Sequence, residues 1–379
     1  MWRLLRVQSL DNNTQAFLAL VRAGLWETEA RLSKFSDINY SQVLSLAEEQ
    51  SVVGLVAAGI EHVTDVKVPK EDVLQFVGQA LQLEQQNQAM NTFIGMMIEK
   101  MRKAGIYTLL LKGQGIAKCY EKPLWRACGD VDLFLSDDNY ETARAFLAPL
   151  SSSVEGECIR EKHLGMTIDS WVVELHGRLY CGLSSRIDKE LDQVYQDTFY
   201  GGSVRSWDDD GVQVYQLKVE NDAIYVFTHI LQHFYKGGIG LRQICDWCRL
   251  LWTYRETLNI RQLENRLQAM GLMSEWRAFG TFAVEYLGMP MEAMPFYKAS
   301  ERWKRKARQV KNFVMMSGNF GHNRDNSYFE RYPYVIRKIC SLGRRMGDVF
   351  RHARIFPLDS LRFFANIVFH GIADALRGD

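Results

Sequence analysis

The spacing of apolar residues changes twice along the chain, and these changes restrict the folds open to it. Residues 12–104 and the chain after Glu220 carry apolar side chains at the three- and four-residue spacing of helices. Between them, short continuous apolar runs are typical of buried strands. We therefore predict an α+β fold, with an N-terminal helical region over 1–104, a core with a small mixed sheet over 105–218, and a larger C-terminal helical domain over 219–379.

The same patterns predict individual elements. Strands are predicted at 106–111, 131–135, 166–168, 171–175 and 212–217, with turns at 201–202 and 208–211. Helices are predicted at 15–25, 41–60, 71–104, 138–147, 221–235, 240–255, 260–270, 273–287, 300–316, 331–346 and 358–376. Within 41–60, Gly54 and Gly59 are predicted weak points of the helix.

Composition narrows the class of protein. Apolar residues make up 47% of the 379 residues and charged residues 24%, which excludes a disordered chain. Lys and Arg number 46 against 45 Asp and Glu, so the net charge of +1 argues against a general nucleic-acid binder. Seven scattered cysteines predict reduced thiols, and the N-terminal residues lack a signal-peptide pattern, so we expect a cytoplasmic protein. The apolar stretch Phe363–Ala373 is shorter than the roughly 20 residues that span a bilayer.

Positive charge is concentrated in one segment. Residues 301–355 contain 14 Lys or Arg against 4 Asp or Glu. Solvated helix faces explain this excess, and the alternative is a patch for phosphate, nucleic acid or anionic lipid. The amphipathic stretch 358–376 leaves open a weak contact with a membrane surface.

A strand-to-helix junction is the first candidate site. The apolar run ending at Leu111 continues into Lys112-Gly113-Gln114-Gly115 and then into a short predicted helix. Glycines let a backbone turn tightly and approach a ligand, and free N–H groups at a helix start attract anions. An ordinary turn between a strand and a helix has the same pattern, so this junction alone assigns no function.

Acidic residues on two predicted strands form the second candidate. Asp130 and Asp132 are two residues apart on a strand, so they share a face and can bracket divalent cations. Glu174 is a lone acid in a β-prone run, where a buried carboxylate requires a partner or a metal. It is a third metal ligand if its strand pairs beside the first, or it points to solvent if the strand alternates with one wet face. His176 shares the face of Glu174 and lies near the metals or hydrogen-bonds a ligand.

These features together resemble the bacterial uncharacterised nucleotidyltransferase family, within the polymerase-β-like nucleotidyltransferase superfamily. The resemblance covers about residues 10–290. Its motifs are Leu111-Lys112-Gly113, Arg126 followed by Gly129-Asp130-Val131-Asp132-Leu133, Glu174-Leu175-His176, His229 with His233, and the stretch 240–246.

The resemblance implies a Mg²⁺-dependent (or Mn²⁺-dependent) enzyme that moves a nucleotide from a nucleoside triphosphate to a small-molecule or protein acceptor. Asp130, Asp132 and Glu174 would be the catalytic metal ligands. Lys112, Gly113, Gln114 and Arg126 would contact the triphosphate. The superfamily usually has Ser where this chain has Gln114, which keeps open a degenerate fold that senses nucleotide or mediates interaction without catalysis.

Residues after 220 supply further candidates. His229 and His233 have the i,i+4 spacing that suits a metal, but the motif lacks the Glu of a zinc-protease site. They are core or metal-supporting histidines, part of a substrate pocket, or ligands of a zinc site. Arg242 and Asp246 form either a helix-surface ion pair or part of the cleft. Cys245 and Cys248 are predicted to be buried thiols on one helix face. The sequence has no P-loop and no GxSxG motif.

Overall fold

The computed structural model describes residues 11–209, 211–321 and 346–377, and it shows a mixed sheet surrounded by helices. The helices are α1 (Asn12–Trp26), α2 (Tyr40–Glu49), α3 (Val53–Glu61), α4 (Lys70–Lys103), α5 (Gly113–Ala117), α6 (Asp137–Leu147), α7 (Ser185–Phe199), α8 (Val219–Lys236), α9 (Leu241–Thr253), α10 (Ile260–Met270), α11 (Met273–Leu287), α12 (Glu301–Ser317), α13 (346–353) and α14 (Pro357–Arg377). The strands are β1 (Leu109–Leu111), β2 (Asp130–Phe134), β3 (Ser153–Val154), β4 (His163–Ile168), β5 (Trp171–His176), β6 (Val204–Asp209) and β7 (Val212–Leu217). This is the predicted α+β class.

Local chemistry fixes several helix starts. A polar side chain just before the helix accepts a hydrogen bond from a backbone N–H of the first turn, which would otherwise be unpaired. Residues that cap in this way are Asp11, Asn39, Ser184, Asn259 and Ser300.

The sheet contains both parallel and antiparallel pairs, in the order β3-β4-β5-β2-β1-β7-β6. β2 pairs antiparallel with β1 and parallel with β5, so the two strands predicted to carry acidic residues are neighbours. β4 pairs antiparallel with β5 and extends the sheet on that side. The centre of the sheet therefore holds β1, β2 and β5 side by side.

Among the described residues, two apolar clusters hold the fold together. One covers one face of the sheet, where Val131, Leu133 and Val173 pack with Ile94 and Ile98 of α4. The other joins the N-terminal helices to the later ones, and in it Trp26 of α1 contacts Trp252 of α9 with ring centroids 5.7 Å apart. The division into three domains stays a prediction, since the helices before and after the sheet share this second cluster.

The structure changes some sequence expectations. The predicted helix 41–60 is two helices, α2 and α3, because the chain turns at Ser51, whose φ is 56°. Gly59 is not a weak point: it lies within α3, and a Cβ there would be 2.0 Å from the carbonyl oxygen of Leu20 on α1. The turn predicted over 208–211 begins too early, because β6 continues to Asp209.

Other predictions match closely or were incomplete. The helices predicted at 260–270 and 273–287 are confirmed at the same bounds. Helix α7 and strands β3 and β6 were not predicted. The predicted helix 331–346 lies outside the described residues except for its last residue. Within the described ranges, none of the helices combines the length and the apolar character that a bilayer crossing requires.

Candidate functional site

Three acidic side chains meet on one face of the sheet. Asp130 and Asp132 are two residues apart on β2, so they project to the same face. β5 is paired so that Glu174 lies opposite Asp132. One oxygen from each of the three carboxylates lies within 4.8 Å of the other two. Strand pairing thus brings together the three predicted metal ligands.

The donor set fits a divalent cation of the Mg²⁺ or Mn²⁺ type. Both ions prefer carboxylate oxygens, and three such groups this close repel one another unless a cation offsets them. Burial and the neighbouring charge of Asp132 raise the pKa of Asp130 above its ordinary value. Asp130, Asp132 and Glu174 are therefore the residues that would hold the metal.

Lys112 places a fixed cation against this group. Its backbone has φ 45° and ψ −139°, a conformation that residues other than glycine rarely adopt, and Gly113 follows with φ 43°. This turn directs the ammonium to 3.0 Å from Asp132 Oδ1 and 5.7 Å from the ring centroid of Tyr225. Burial alone would lower the pKa of Lys112, but attraction to Asp132 raises it above its ordinary value. Lys112 is thus charged at neutral pH.

Two histidines border the carboxylates on the β4 side. His176 Nε2 lies 2.8 Å from Asp132 Oδ1, and His163 Nε2 lies 3.1 Å from Glu174 Oε2. Burial alone would lower the pKa of His176, but its hydrogen bonds to Asp132 and Glu174 raise it overall. Hydrogen bonds from both histidines lower the pKa of Glu174. His163 was not predicted, because only the register of β4 against β5 places it opposite His176.

A buried ion pair forms the opposite wall of the cleft. Arg126 Nε and Nη2 donate to Asp246 at 3.0 and 2.6 Å, and the hydroxyl of Tyr120 donates to the same carboxylate at 2.7 Å. Among the described residues, Nη1 of Arg126 has no hydrogen-bond partner. Arg242 donates to the carbonyl oxygen of Ala127 at 2.8 Å. A small cavity is lined by Asp130, Arg126, Arg242 and Asp246. Asp246 is therefore a buried residue of the cleft, and its ion-pair partner is Arg126.

A second cavity of about 320 Å³ lies on the Glu174 side of Lys112. Side chains from β4 and β5, from the segments flanking these strands and from α8 line it: Glu161, His163, Glu174, His176, Arg178, Tyr180, Tyr225, His229, Gln232, His233 and Lys236. Burial and the charge of Lys112 lower the pKa of His229 well below its ordinary value, and that of His233 to about 4. Both rings are therefore neutral at pH 7, and their Nε2 atoms are 3.0 Å apart. His233 lines this cavity, and its role in a substrate pocket stays a prediction.

Among the predicted site residues, Gln114 has a side chain that points away from the carboxylates and toward α4. It is 2% exposed, and its amide donates to Asn87 Oδ1 of α4 at 2.6 Å. Helix α5 has only five residues, which align few peptide dipoles. The cationic side chains of Lys112, Arg126 and Arg242 are therefore better placed than this turn to meet phosphate. Cys245 and Cys248 are fully buried free thiols.

A larger cavity of about 640 Å³ lies away from the carboxylates and is lined by α1 and the segment after it, by α9 and by residues that follow α11. Its two acidic side chains are already paired, Glu29 with Arg31 and Glu121 with Arg249. It lacks a group of converging carboxylates, so the cleft beside β2 is the better candidate for chemistry.

Residues 36–288 match a protein family described as uncharacterised nucleotidyltransferase. The chain belongs to this family. The nucleotidyltransferase match includes every residue of the cleft from Lys112 to Asp246 and ends just after α11. The predicted bacterial origin and the wider superfamily stay predictions.

Comparisons with individual proteins add little to this assignment. A solved structure from Paracoccidioides brasiliensis, an antigenic nucleotidyltransferase-like protein, is 13% identical to this chain. The similarity covers 49% of this chain and 90% of that one, with a TM-score of 0.30. No curated protein matches.

Proposed function

We propose that the chain is a Mg²⁺- or Mn²⁺-dependent nucleotidyltransferase that moves a nucleoside monophosphate from a nucleoside triphosphate to a small-molecule or protein acceptor. The observation that carries the proposal is the convergence of Asp130, Asp132 and Glu174 within 4.8 Å, in a chain of this family. When bound, the divalent cation would offset negative charge on the triphosphate and lower the pKa of the acceptor hydroxyl.

The two cavities suggest separate places for donor and acceptor. The small cavity holds Asp130, Lys112, Arg126 and Arg242, and its cations suit a triphosphate. The free Nη1 of the buried Arg126 is an unused donor in its wall. The 320 Å³ cavity is lined by Glu174, which would face the acceptor.

The proposed reaction is an in-line displacement at the α-phosphorus. The acceptor oxygen forms a bond to this phosphorus, the bond to the bridging oxygen of the β-phosphate breaks, and pyrophosphate leaves. The proton of the acceptor hydroxyl leaves to solvent through the acceptor cavity, because hydrogen bonds from His163 and His176 lower the pKa of Glu174 and make it a weak base. Lys112 and Arg126 stabilise the charge that develops on the phosphate oxygens.

A non-catalytic nucleotide-binding module is the second candidate, and one contact favours it. The Lys112 ammonium already lies 3.0 Å from Asp132, where it neutralises a carboxylate that catalysis would need for metal. Gln114, bonded to Asn87, also departs from the turn usual in the superfamily. Such a module would bind nucleotide and release no pyrophosphate.

The first experiment is a thermal-shift titration with ATP, GTP, CTP and UTP, each with Mg²⁺, Mn²⁺ or EDTA. A nucleotide at 100 times its Kd adds roughly 2.7 kcal/mol to the free energy of unfolding. We expect stabilisation by at least one nucleotide only with metal, and its loss in Asp132→Asn and Asp130→Asn. Asp138→Asn is the matched control, because Asp138 is exposed on α6.

Pyrophosphate release then separates the two candidates. With the stabilising nucleotide and fractionated small molecules or proteins as acceptors, the enzyme releases pyrophosphate and both Asp variants do not. Binding without release supports the module. If both Asp variants bind the metal nucleotide like the parent, the assignment of the site is wrong.

A further inference from the structure

The two histidines beside the carboxylates form a second group of metal donors. His163, Glu174 and His176 offer two imidazole nitrogens and one carboxylate oxygen, all within 4.8 Å of one another. His163 and His176 are directly paired across β4 and β5, and Glu174 lies two residues from His176 on the same face. The rigid sheet, and not a loop, therefore sets their spacing.

The distances suit a small tetrahedral ion. Ligands about 2.1 Å from a tetrahedral Zn²⁺ are separated from each other by about 3.4 Å. Glu174 Oε2 is 3.1 Å from His163 Nε2 and 3.6 Å from His176 Nε2. The fourth position faces the 320 Å³ cavity, which is large enough for water or a ligand.

The donor types separate this group from the three carboxylates. Imidazole nitrogen prefers Zn²⁺, Co²⁺ or Ni²⁺, whereas Mg²⁺ prefers oxygen. We propose that His163, Glu174 and His176 bind a divalent transition-metal ion of the Zn²⁺ class, next to the carboxylate site and sharing Glu174 with it. The site does not depend on nucleotidyl transfer, because it is defined by metal binding alone.

The shared residues link the two sites. To bind an ion, His176 Nε2 gives up its hydrogen bond to Asp132 Oδ1, and Glu174 contributes an oxygen to the second ion. Zn²⁺ binding therefore lowers the affinity of the carboxylate site for Mn²⁺ and its nucleotide. By linkage, the Mn²⁺ nucleotide lowers the affinity for Zn²⁺ by the same factor.

The test measures Zn²⁺ by calorimetry and Co²⁺ by its visible absorption, without nucleotide. Cys158→Ser serves as the parent, because this exposed thiol precedes β4 and is a competing ligand. His163→Gln should weaken Zn²⁺ binding at least tenfold. Asp130→Asn should abolish Mn²⁺-nucleotide binding and keep Zn²⁺ binding, because Asp130 is outside the group of His163, Glu174 and His176. His62→Gln, which alters the histidine paired with Glu27 at a distant surface, is the matched control.

A variant that gains a spectroscopic signal distinguishes the loss of a metal ligand from misfolding. His163→Cys replaces one zinc ligand by another, so it should keep Zn²⁺ binding and give Co²⁺ a sulfur-to-metal charge-transfer band. The inference is overturned if His163→Gln binds Zn²⁺ like its parent. It is also overturned if only variants of the nearby pair, His229→Gln or His233→Gln, lose the ion. A negative result for Zn²⁺ binding does not affect the proposal for the three carboxylates, since that site is tested separately with nucleotide.

Discussion

At the scale of single residues, Lys112 occupies two roles that an experiment can separate. Its ammonium lies 3.0 Å from Asp132 and lines both cavities of the cleft. In the proposed function, Lys112 would compete with a metal ion for Asp132 when nucleotide is absent, because both are cations. With nucleotide bound it would contact phosphate oxygens, which carry more charge than one carboxylate.

Lys112→Met should therefore change metal and nucleotide binding in opposite directions. We expect Mn²⁺ alone to bind more tightly, measured by electron paramagnetic resonance, because a competing cation is removed. We expect the Kd of the metal nucleotide to rise about tenfold, which corresponds to about 1.4 kcal/mol. Calorimetry measures this second change.

Lys189→Met is the control for this prediction. Lys189 is exposed on α7, away from the residues that line the cleft, so neither affinity should change. If Lys112→Met weakens binding of Mn²⁺ alone, Lys112 supports the carboxylates and does not compete for them.

At the scale of elements, the contact between α1 and α3 depends on glycine. A Cβ on Gly59 would lie 2.0 Å from the carbonyl oxygen of Leu20, and one on Gly24 would lie 1.9 Å from that of Leu55. These are backbone atoms, so the helices would have to separate to accept a methyl group. Gly78 in α4 has no such neighbour within 4 Å of its Cβ position.

Gly59→Ala and Gly78→Ala should thus change stability in opposite directions. Alanine favours a helix interior by up to about 1 kcal/mol over glycine, so Gly78→Ala should raise the free energy of unfolding. Gly59→Ala should lower it by at least about 1 kcal/mol, the lower end of the usual cost of overpacking. Urea unfolding followed by circular dichroism measures both, and equal gains would show that α1 and α3 do not pack this closely.

Elements with a regular local pattern could be predicted, while contacts between elements could not. The helices at 260–270 and 273–287 follow from apolar spacing and from the glycines after them, Gly271 and Gly288. Helix α7 had a usable signal, since Ser184 caps it and Ile187, Leu191 and Val194 are buried at helical spacing. This helical spacing is harder to recognise because charged residues separate these three apolar positions in the sequence.

The candidate site shows the same limit. Asp130 and Asp132 share a face by the geometry of one strand, so their proximity needs no knowledge of the rest of the fold. Glu174 could be placed beside them only by assuming that β5 neighbours β2. His163 and the bond between Arg126 and Asp246 depend on register and helix packing, which local patterns do not encode.

At the scale of the whole molecule, the helices after the sheet enclose an ionisable group. Glu275 of α11 is fully buried, and Oε2 has no hydrogen-bond partner among the described residues. The hydroxyl of Tyr235 on α8 lies 3.5 Å from Oε1 of Glu275. Asp359 of α14 contributes a negative charge nearby, and Lys306 of α12 contributes a positive one. Burial, followed by repulsion from Asp359, raises the pKa of Glu275 from 4.5 to about 8.

The packing of these four helices should consequently weaken as pH rises. A carboxyl whose pKa is higher in the folded state binds its proton more tightly there, so its contribution to stability is complete below about pH 4.5. That contribution is lost as pH rises through about 8, where the buried group ionises. One pKa unit corresponds to about 1.4 kcal/mol, so the loss by pH 8 should be at least that large.

Glu275→Gln isolates this contribution, because glutamine has the same shape and no charge to gain. The difference in unfolding free energy between variant and parent should be constant below about pH 4.5, grow in favour of the variant as pH rises from 4.5 to about 8, and level off above that. Comparing the two proteins at each pH cancels the contribution of the buried His229 and His233 to the unfolding free energy, because both proteins contain these histidines. Urea unfolding across pH measures the difference, and a flat difference would show that the pKa of Glu275 is not raised in the folded protein.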